Sequence, residues 1–282
     1  MLKYAAKRLL MLIPTFMAVI FFIFILVSLT PANPGRIKFG EMASPEQVED
    51  YNQQIGYYDP LPVKYVRYLI DLVQGNFGRS YYTNKDVMSE ILIRWPVTMK
   101  VAFLSLGVAI LIGVPLGVLC AIKQNSVIDR TMTATSILFA SMPVFLTGII
   151  FMLIFIVWLG WFKVVADTPG SLEALALPVL ALSIPYSAGF LRYTRGAMLE
   201  VIRSDYIRTA RAKGCTEKSV IFKHAFKNAS LTVITITGIN VGGLLGGSVV
   251  IEKVFTINGV GMFSLLALQR KDIPQIMACT IF

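Results

Sequence analysis

Apolar and polar positions along this chain separate into long charge-free runs joined by charged segments, the longest of them between the first two runs. The runs are Leu9–Gly35, Val101–Ile122, Thr131–Phe162, Ala174–Leu191 and Asn228–Ile251. Each reaches about 18 residues or more, the length at which a helix can cross a hydrocarbon core of roughly 30 Å. Five such runs in one chain predict an all-α membrane protein rather than a soluble helical one. A sixth run opens at Ile273 and holds ten residues by Phe282, too few to span a bilayer. A complete sixth helix predicts further apolar residues and a short basic tail after it. The first run follows Lys3, Lys7 and Arg8, as a signal peptide would. Its apolar stretch is too long for a signal core and lacks a small-x-small cleavage site, so a retained first helix is expected.

The segment between the first two spans is patterned as short helices. Pro31, Pro34 and Gly35 end the first run. Ser44-Pro45-Glu46-Gln47 predicts a helix start, with Ser44 as N-cap, Pro45 in the first helical position and Gln47 completing a capping box. Gly56 is placed to close that helix. Val63, Val66, Ile70 and Val73 then recur at helical steps after Pro62. They predict an amphipathic helix lying on the outer membrane face or against the spans. Asn84 is a candidate cap for another short helix running towards Arg94.

Composition agrees with a membrane solvent. Of the 282 residues, 56% are hydrophobic and 15% charged, against roughly 25% charged in soluble domains. The mean hydropathy is +0.69. Charge also orients the chain. Residues 192–227 carry nine Lys/Arg opposed only by Glu200, Asp205 and Glu217, whereas residues 36–94 carry seven basic and eight acidic side chains. The positive-inside rule therefore places the N-terminus and the fourth-to-fifth loop in the cytoplasm. It also accounts for the net charge of +10 without a nucleic-acid partner. Cys120, Cys215 and Cys279 have no metal-type spacing and imply no disulfide framework.

Inside the runs, Gly113 and Gly117 are four apart, and Gly238, Gly242 and Gly246 repeat that step with Gly243 and Gly247 beside them. Such spacing suits close helix packing, and equally a fifth span that lines or gates a pathway. Pro115, Pro143, Pro178 and Pro185 are tolerated in membrane helices. The third run is too long for a perpendicular crossing, so a kink near Pro143, a tilt or an extension beyond the bilayer is expected. Tyr186, Thr235 and Asn240 are polar candidates for lining a pathway, or for interhelical hydrogen bonds. Ionisable groups are nearly absent from the runs. His224 is the only histidine and falls in the basic loop, and Glu252 marks the outer edge of span five. A proton or sodium relay needs intramembrane carboxylates or histidines, so ion-coupled transport finds little support.

The basic loop carries the most specific signal. Asp205-Tyr206-Ile207-Arg208-Thr209-Ala210-Arg211-Ala212-Lys213-Gly214 predicts a short helix ended by glycine. Asp205 suits the positive end of the helix dipole, and Arg211 and Lys213 its negative end. Thr216 is placed to cap a second helix through Ile221, Phe222, Ala225 and Phe226 into span five. The small side chains of Ala210 and Ala212 predict room for a partner surface to approach. An ordinary positively charged inside loop is the plainer reading of the same residues.

Arg208-Thr209-Ala210, three residues and Gly214 together resemble the EAA motif of ABC importer permeases, in the dialect of the oligopeptide, dipeptide and nickel branch. His224-Ala225-Phe226-Lys227-Asn228-Ala229 is similar to the same branch downstream. The general motif's initial Glu is Arg208 here and its later Leu-Pro is Phe226-Lys227, departures typical of the peptide branch. Tyr4 to Pro14 resembles that branch's first helix, and Gly75-Asn76-Phe77-Gly78-Arg79-Ser80 its Gly-x-Phe-Gly-x-Ser element. Glu252-Lys253-Val254-Phe255 with Asn258-Gly259-Val260-Gly261 resembles the segment before its last span.

The resemblance implies a type I ABC importer permease of six transmembrane helices in the bacterial or archaeal plasma membrane. It implies an N-terminal helix over 1–30, an external helical segment over 31–97, and a permease core over 98–282 with its coupling loop at 200–228 and its last helix incomplete. In that family a second permease subunit completes the pathway. The coupling helix inserts into one of one or two separate ATPase subunits, and an extracytoplasmic binding protein delivers cargo, here di- or oligopeptides. Asp205, Tyr206, Arg208, Thr209, Ala210, Arg211, Ala212, Lys213 and Gly214 are the implied ATPase-coupling residues. No Gly-x-x-x-x-Gly-Lys-Ser/Thr occurs, so ATP and Mg belong to the partner ATPases, and this chain is expected to be non-catalytic and without a cofactor. Membrane lipid is the remaining expected partner. The alternatives are the same family carrying nickel, glutathione or a sugar, a stand-alone secondary carrier or channel, and a non-transport membrane scaffold.

Overall fold

The charge-free runs fold as helices because backbone N–H and C=O groups in a membrane must be satisfied within the segment itself. The computed structural model describes residues 2–163 and 171–282; the side chains of Lys3 and Arg8 lie outside the described ones. Twelve helices follow in order among the described residues: α1 Leu2–Ser28, α2 Pro34–Phe39, α3 Pro45–Gln54, α4 Leu61–Val73, α5 Val87–Ile122 and α6 Val127–Ser141, then α7 Val144–Trp158, α8 Leu172–Ile202, α9 Asp205–Ala212, α10 Glu217–Val254, α11 Val260–Arg270 and α12 Ile273–Ile281. Four of them are long and apolar enough to cross a membrane, and α6 with α7 make a fifth span if the pair is taken as one. The third run is therefore broken: α6 and α7 meet at 103° around Met142 and Pro143. Proline has no N–H to continue a helix and pushes the preceding residue towards extended backbone, which Met142 adopts with ψ 130°.

The chain divides into two compact units, residues 1–95 with 263–282, and residues 96–262. In the first, Val27 of α1 packs with Ile276 and Met277 of α12 and Ala267 of α11, and α1 meets α4 through its aromatic rings. α2 and α3 are tied by buried amides. Asn52 Oδ1 accepts from Gly35 N at 2.9 Å, and Asn52 Nδ2 donates to Asn33 Oδ1 at 2.9 Å. The expected cap of α3 is present, with Gln47 N–H donating to Ser44 Oγ at 3.2 Å and Gly56 beyond its end at φ 70°.

The short helix expected from Asn84 does not form. Asn84 lies in the left-handed region at φ 57°, and Asp86 caps instead, accepting from Ser89 N at 2.8 Å. The helix it opens runs without interruption from Val87 through Pro96 to Ile122. The Gly-x-Phe-Gly-x-Ser element is a turn wrapped on one carboxylate. Ser80 Oγ donates to Asp272, and the Tyr81 and Tyr82 N–H groups reach the same side chain at 3.1 and 3.4 Å. Asp272 is fully buried, so these donors replace water it has lost. Asp272→Ala is expected to free the 78–82 turn, seen as faster amide exchange there than in α3.

In the second unit, Gly113 and Gly117 let α5 lie directly on α8. A Cβ at Gly113 would stand 2.6 Å from Phe190 Cβ, and one at Gly117 2.7 Å from Thr194 Cβ. Packing is thus the role of this pair. A Cβ at Gly238, Gly242 or Gly246 would meet nothing within 4 Å beyond the helix's own backbone, and these glycines lie, with Leu231, Ile234 and Ile239, on an exposed face of α10. α8 extends beyond the apolar run, so Arg192, Arg195 and Glu200 are helical residues rather than loop.

Candidate functional site

The candidate coupling element is α9, the turn after it and the start of α10. Ser204 precedes α9 with extended backbone, ψ 152°, and its hydroxyl donates back to Val201 O at 2.6 Å. Asp205 occupies the first turn, where a negative charge faces the free N–H groups. Arg208 pairs with it at 3.4 Å, one turn on and in water. The end of α9 is a Schellman turn: Gly214 N–H donates to Arg211 O at 2.9 Å and Cys215 N–H to Ala210 O at 3.3 Å. Gly214 carries the positive φ that this turn demands, 79°. Thr216 then caps α10 through Ser219 N at 3.4 Å, as its position predicts.

One face of α9 is rooted in the spans. Ile207 is fully buried and Ala210 nearly so, three residues apart, and they join Val118 and Ala121 of α5, Met198 of α8 and Val220, Ala225 and Ala229 of α10. The close approach expected over both alanines is therefore open only at Ala212, because Ala210 packs inward. The opposite face exposes Asp205, Tyr206, Arg208, Thr209, Arg211, Ala212 and Lys213. Two side-chain bonds stiffen it. Arg211 forks onto Glu217 at 2.7 and 3.3 Å across the glycine turn, and the Asn228 amide donates to the Tyr206 hydroxyl at 2.6 Å. The fork holds the Arg211 guanidinium above its ordinary pKa. α10 is π-helical over Val220–Ala225, where it meets α9. Movement of the exposed face must therefore displace the ends of α5, α8 and α10 together.

A second clamp lies nearby, and the sequence reading missed it. Asp129 of α6 is buried and takes both Arg195 donors of α8, Nε at 2.6 Å and Nη2 at 2.8 Å, while also accepting from Asn125 N at 2.9 Å. The available signal was Ser126-Val127-Ile128-Asp129, an N-cap box that commits Asp129 to a helix start. Asp129→Ala is expected to cost about 2 kcal/mol, less than for a fully dry pair because Arg195 keeps partial exposure. Thermal unfolding of the purified chain in detergent measures it, with Asp129→Asn expected to fall between.

The pathway candidates separate. The Tyr186 hydroxyl stands over the glycines of α10, 3.2 Å from where a Gly243 Cβ would be and 3.4 Å from that of Gly247. Thr235 is exposed and its hydroxyl donates to Leu231 O at 2.9 Å. Asn240 is half-buried. Among the described residues no hydrogen bond joins these three side chains.

The profile of the binding-protein-dependent transport system inner membrane component matches residues 113–282, a stretch that contains the whole candidate coupling element. The N-terminal companion profile of the same membrane component matches residues 1–102. The chain belongs to this family. It is 36% identical to the dipeptide transport system permease protein of Alkalihalophilus pseudofirmus, over 99% of this chain and 91% of that one. It is 37% identical to the glutathione transport system permease protein of Pectobacterium atrosepticum, over 99% and 90%. A probable peptide ABC transporter permease protein of Sinorhizobium fredii is 34% identical over 99% and 91%. The permease is therefore a multi-pass inner-membrane subunit of an ABC transport system that has other subunits, and its resemblance to the oligopeptide and dipeptide branch holds along its length.

Proposed function

We propose that this permease forms half of a peptide pathway and that α9 is the lever by which a separate ATPase drives it. The supporting observation is the two-faced build of α9: Ile207 and Ala210 lock it to three span ends while Arg208, Thr209, Arg211 and Lys213 are exposed on the other side. A helix built only to connect spans has no need of a Schellman turn, an arginine fork and a buried root at once. The N-terminus and α9 face the cytoplasm on this reading, since the basic side chains of 192–227 follow the positive-inside rule. ATP binding, with Mg, closes the ATPase partners. Their motion enters through the exposed face of α9 and leaves through α5, α8 and α10, and alternating access follows. The chain itself performs no chemistry and holds no cofactor; its partners are a second permease, one or two ATPases, an extracytoplasmic binding protein and lipid. Peptide cargo is supported by the names of the dipeptide, glutathione and peptide relatives.

The test is purification of the tagged permease from its native membrane in mild detergent, with mass spectrometry of what it retains. One or two P-loop ATPases and a second permease are expected. A chain that comes down alone yet transports in liposomes without ATP is a carrier or channel, and the proposal fails. Cargo is read from uptake of a labelled dipeptide by the reconstituted complex, with excess glutathione and nickel as competitors. The surface arginines and lysine give a further prediction. Reversal of Arg208 and Lys213 together to Glu is expected to abolish ATPase stimulation while leaving the fold and membrane insertion intact, because both side chains are exposed.

A further inference from the structure

The amphipathic helix α4 is half accounted for by its own chain. Its inner face packs on α1: the Tyr65 ring lies 5.2 Å from the rings of both Phe21 and Phe24, and Tyr68 stacks on Phe24 at 6.2 Å. The outer face is the predicted stripe, and it is left exposed among the described residues. Val63, Val66, Ile70 and Val73 are 47, 54, 54 and 89% exposed.

The depth of α4 follows from what it touches. α1 is a candidate span that ends at Ser28, and Phe21 stands seven residues before that end, roughly 10 Å down the helix axis at 1.5 Å per residue. A helix whose ring touches Phe21 lies beside the span and not above it in water. The cations of α4 agree with that depth. Arg67 reaches Asp59 at 2.7 Å and Lys64 donates to the Tyr57 carbonyl, so both are turned onto partners within the chain. Its N-terminus is also economical in bare donors: Pro60 and Pro62 have none, and Pro60 O accepts from Val63 N and Lys64 N at 3.0 and 3.1 Å.

We infer that α4 is an interfacial helix whose Val63-Val66-Ile70-Val73 stripe is immersed in phospholipid of the leaflet at the C-terminal end of α1. Apolar helix faces of this kind bury themselves at the boundary between headgroups and acyl chains. The helix thereby fixes residues 45–73 at the membrane surface beside the first span, an anchoring role separate from coupling at α9.

The test places a fluorescent amino acid at Val66 or Ile70 of the full chain in its native complex. Asp50, exposed on α3, serves as the aqueous reference. The complex is reconstituted into vesicles of phospholipid brominated high on the acyl chains. Emission at both stripe positions is expected to be quenched by the brominated lipid and shielded from aqueous iodide, with the reverse at Asp50. Emission open to iodide would put the stripe in water and overturn the inference. Emission shielded from both quenchers would put a protein on it, a second permease or the binding protein, and overturn it equally.

Discussion

Replacement of Gly214 by valine is expected to abolish uptake and ATPase stimulation in a permease that still inserts and still binds its partners. The reason is local. Gly214 sits at φ 79°, a conformation that forces a β-branched side chain into the following carbonyl at a cost of about 1–3 kcal/mol. The strain is relieved by opening the turn, which breaks the bonds from Gly214 N to Arg211 O and from Cys215 N to Ala210 O. The lever then loses its fixed angle to α10. No Cβ clash with another part of the chain contributes, since nothing lies within 4 Å of where that Cβ would stand apart from the adjoining residues, so the backbone conformation alone is tested.

That isolation allows a graded series. Asparagine tolerates the left-handed region better than alanine, and alanine better than valine. Transport per ATP hydrolysed should therefore fall in the order Gly, Asn, Ala, Val, while the yield of intact complex stays level. Arg211→Ala removes the fork to Glu217 but leaves the turn. Both partners are exposed to solvent, so its effect should be much smaller. Wild-type coupling in Gly214→Val would mean that α9 is a connector and not a lever.

Much of this architecture is written in short-range pattern. The charge-free runs became helices, Ser44 and Thr216 cap where their spacing placed them, and Gly214 ends α9, because caps and glycine turns are decided within a few residues. What the sequence hid are the contacts that join distant segments. Asp129 and Arg195 are 66 positions apart, and each alone reads as an ordinary charge near a span end. Asn84 looked like a cap because its residue type favours both caps and left-handed turns, and only the fold chooses between them. Ala210 looked like a surface because alanine is small on either face of a helix, and its burial depends on three other elements. Motif resemblance located the candidate coupling element, but the direction in which each side chain points had to come from the structure.

The same distinction governs Glu252, which sequence pattern set at the rim of span five and the structure buries completely. Its carboxylate closes the chain onto the first turn of α11. Oε1 accepts from Thr98 Oγ1 at 2.7 Å, Oε2 accepts from Met262 N at 2.9 Å, and Thr98 Oγ1 in turn accepts from Val260 N at 2.9 Å. A negative side chain at a helix start is doubly favoured, by the free N–H groups and by the helix dipole. The glycines of Asn258-Gly259-Val260-Gly261 are explained by the same group. A Cβ at Gly259 would fall 2.5 Å from both carboxylate oxygens, and one at Gly261 2.8 Å from Oε2 and 2.6 Å from Val249 Cα. Glu252→Ala leaves the Thr98 hydroxyl and the Met262 N–H buried without acceptors and opens a cavity, a loss of about 3–5 kcal/mol. Glu252→Gln keeps the shape and one acceptor but turns an NH2 group towards a donor, so it should fall between. Gly261→Val should match the alanine variant, because its clash is with backbone that cannot move aside. Thermal unfolding in detergent ranks the three, and the second comparison decides the cause. If Glu252→Ala unfolds like wild type while Gly261→Val does not, the segment is held by glycine packing alone and the carboxylate has no part in it.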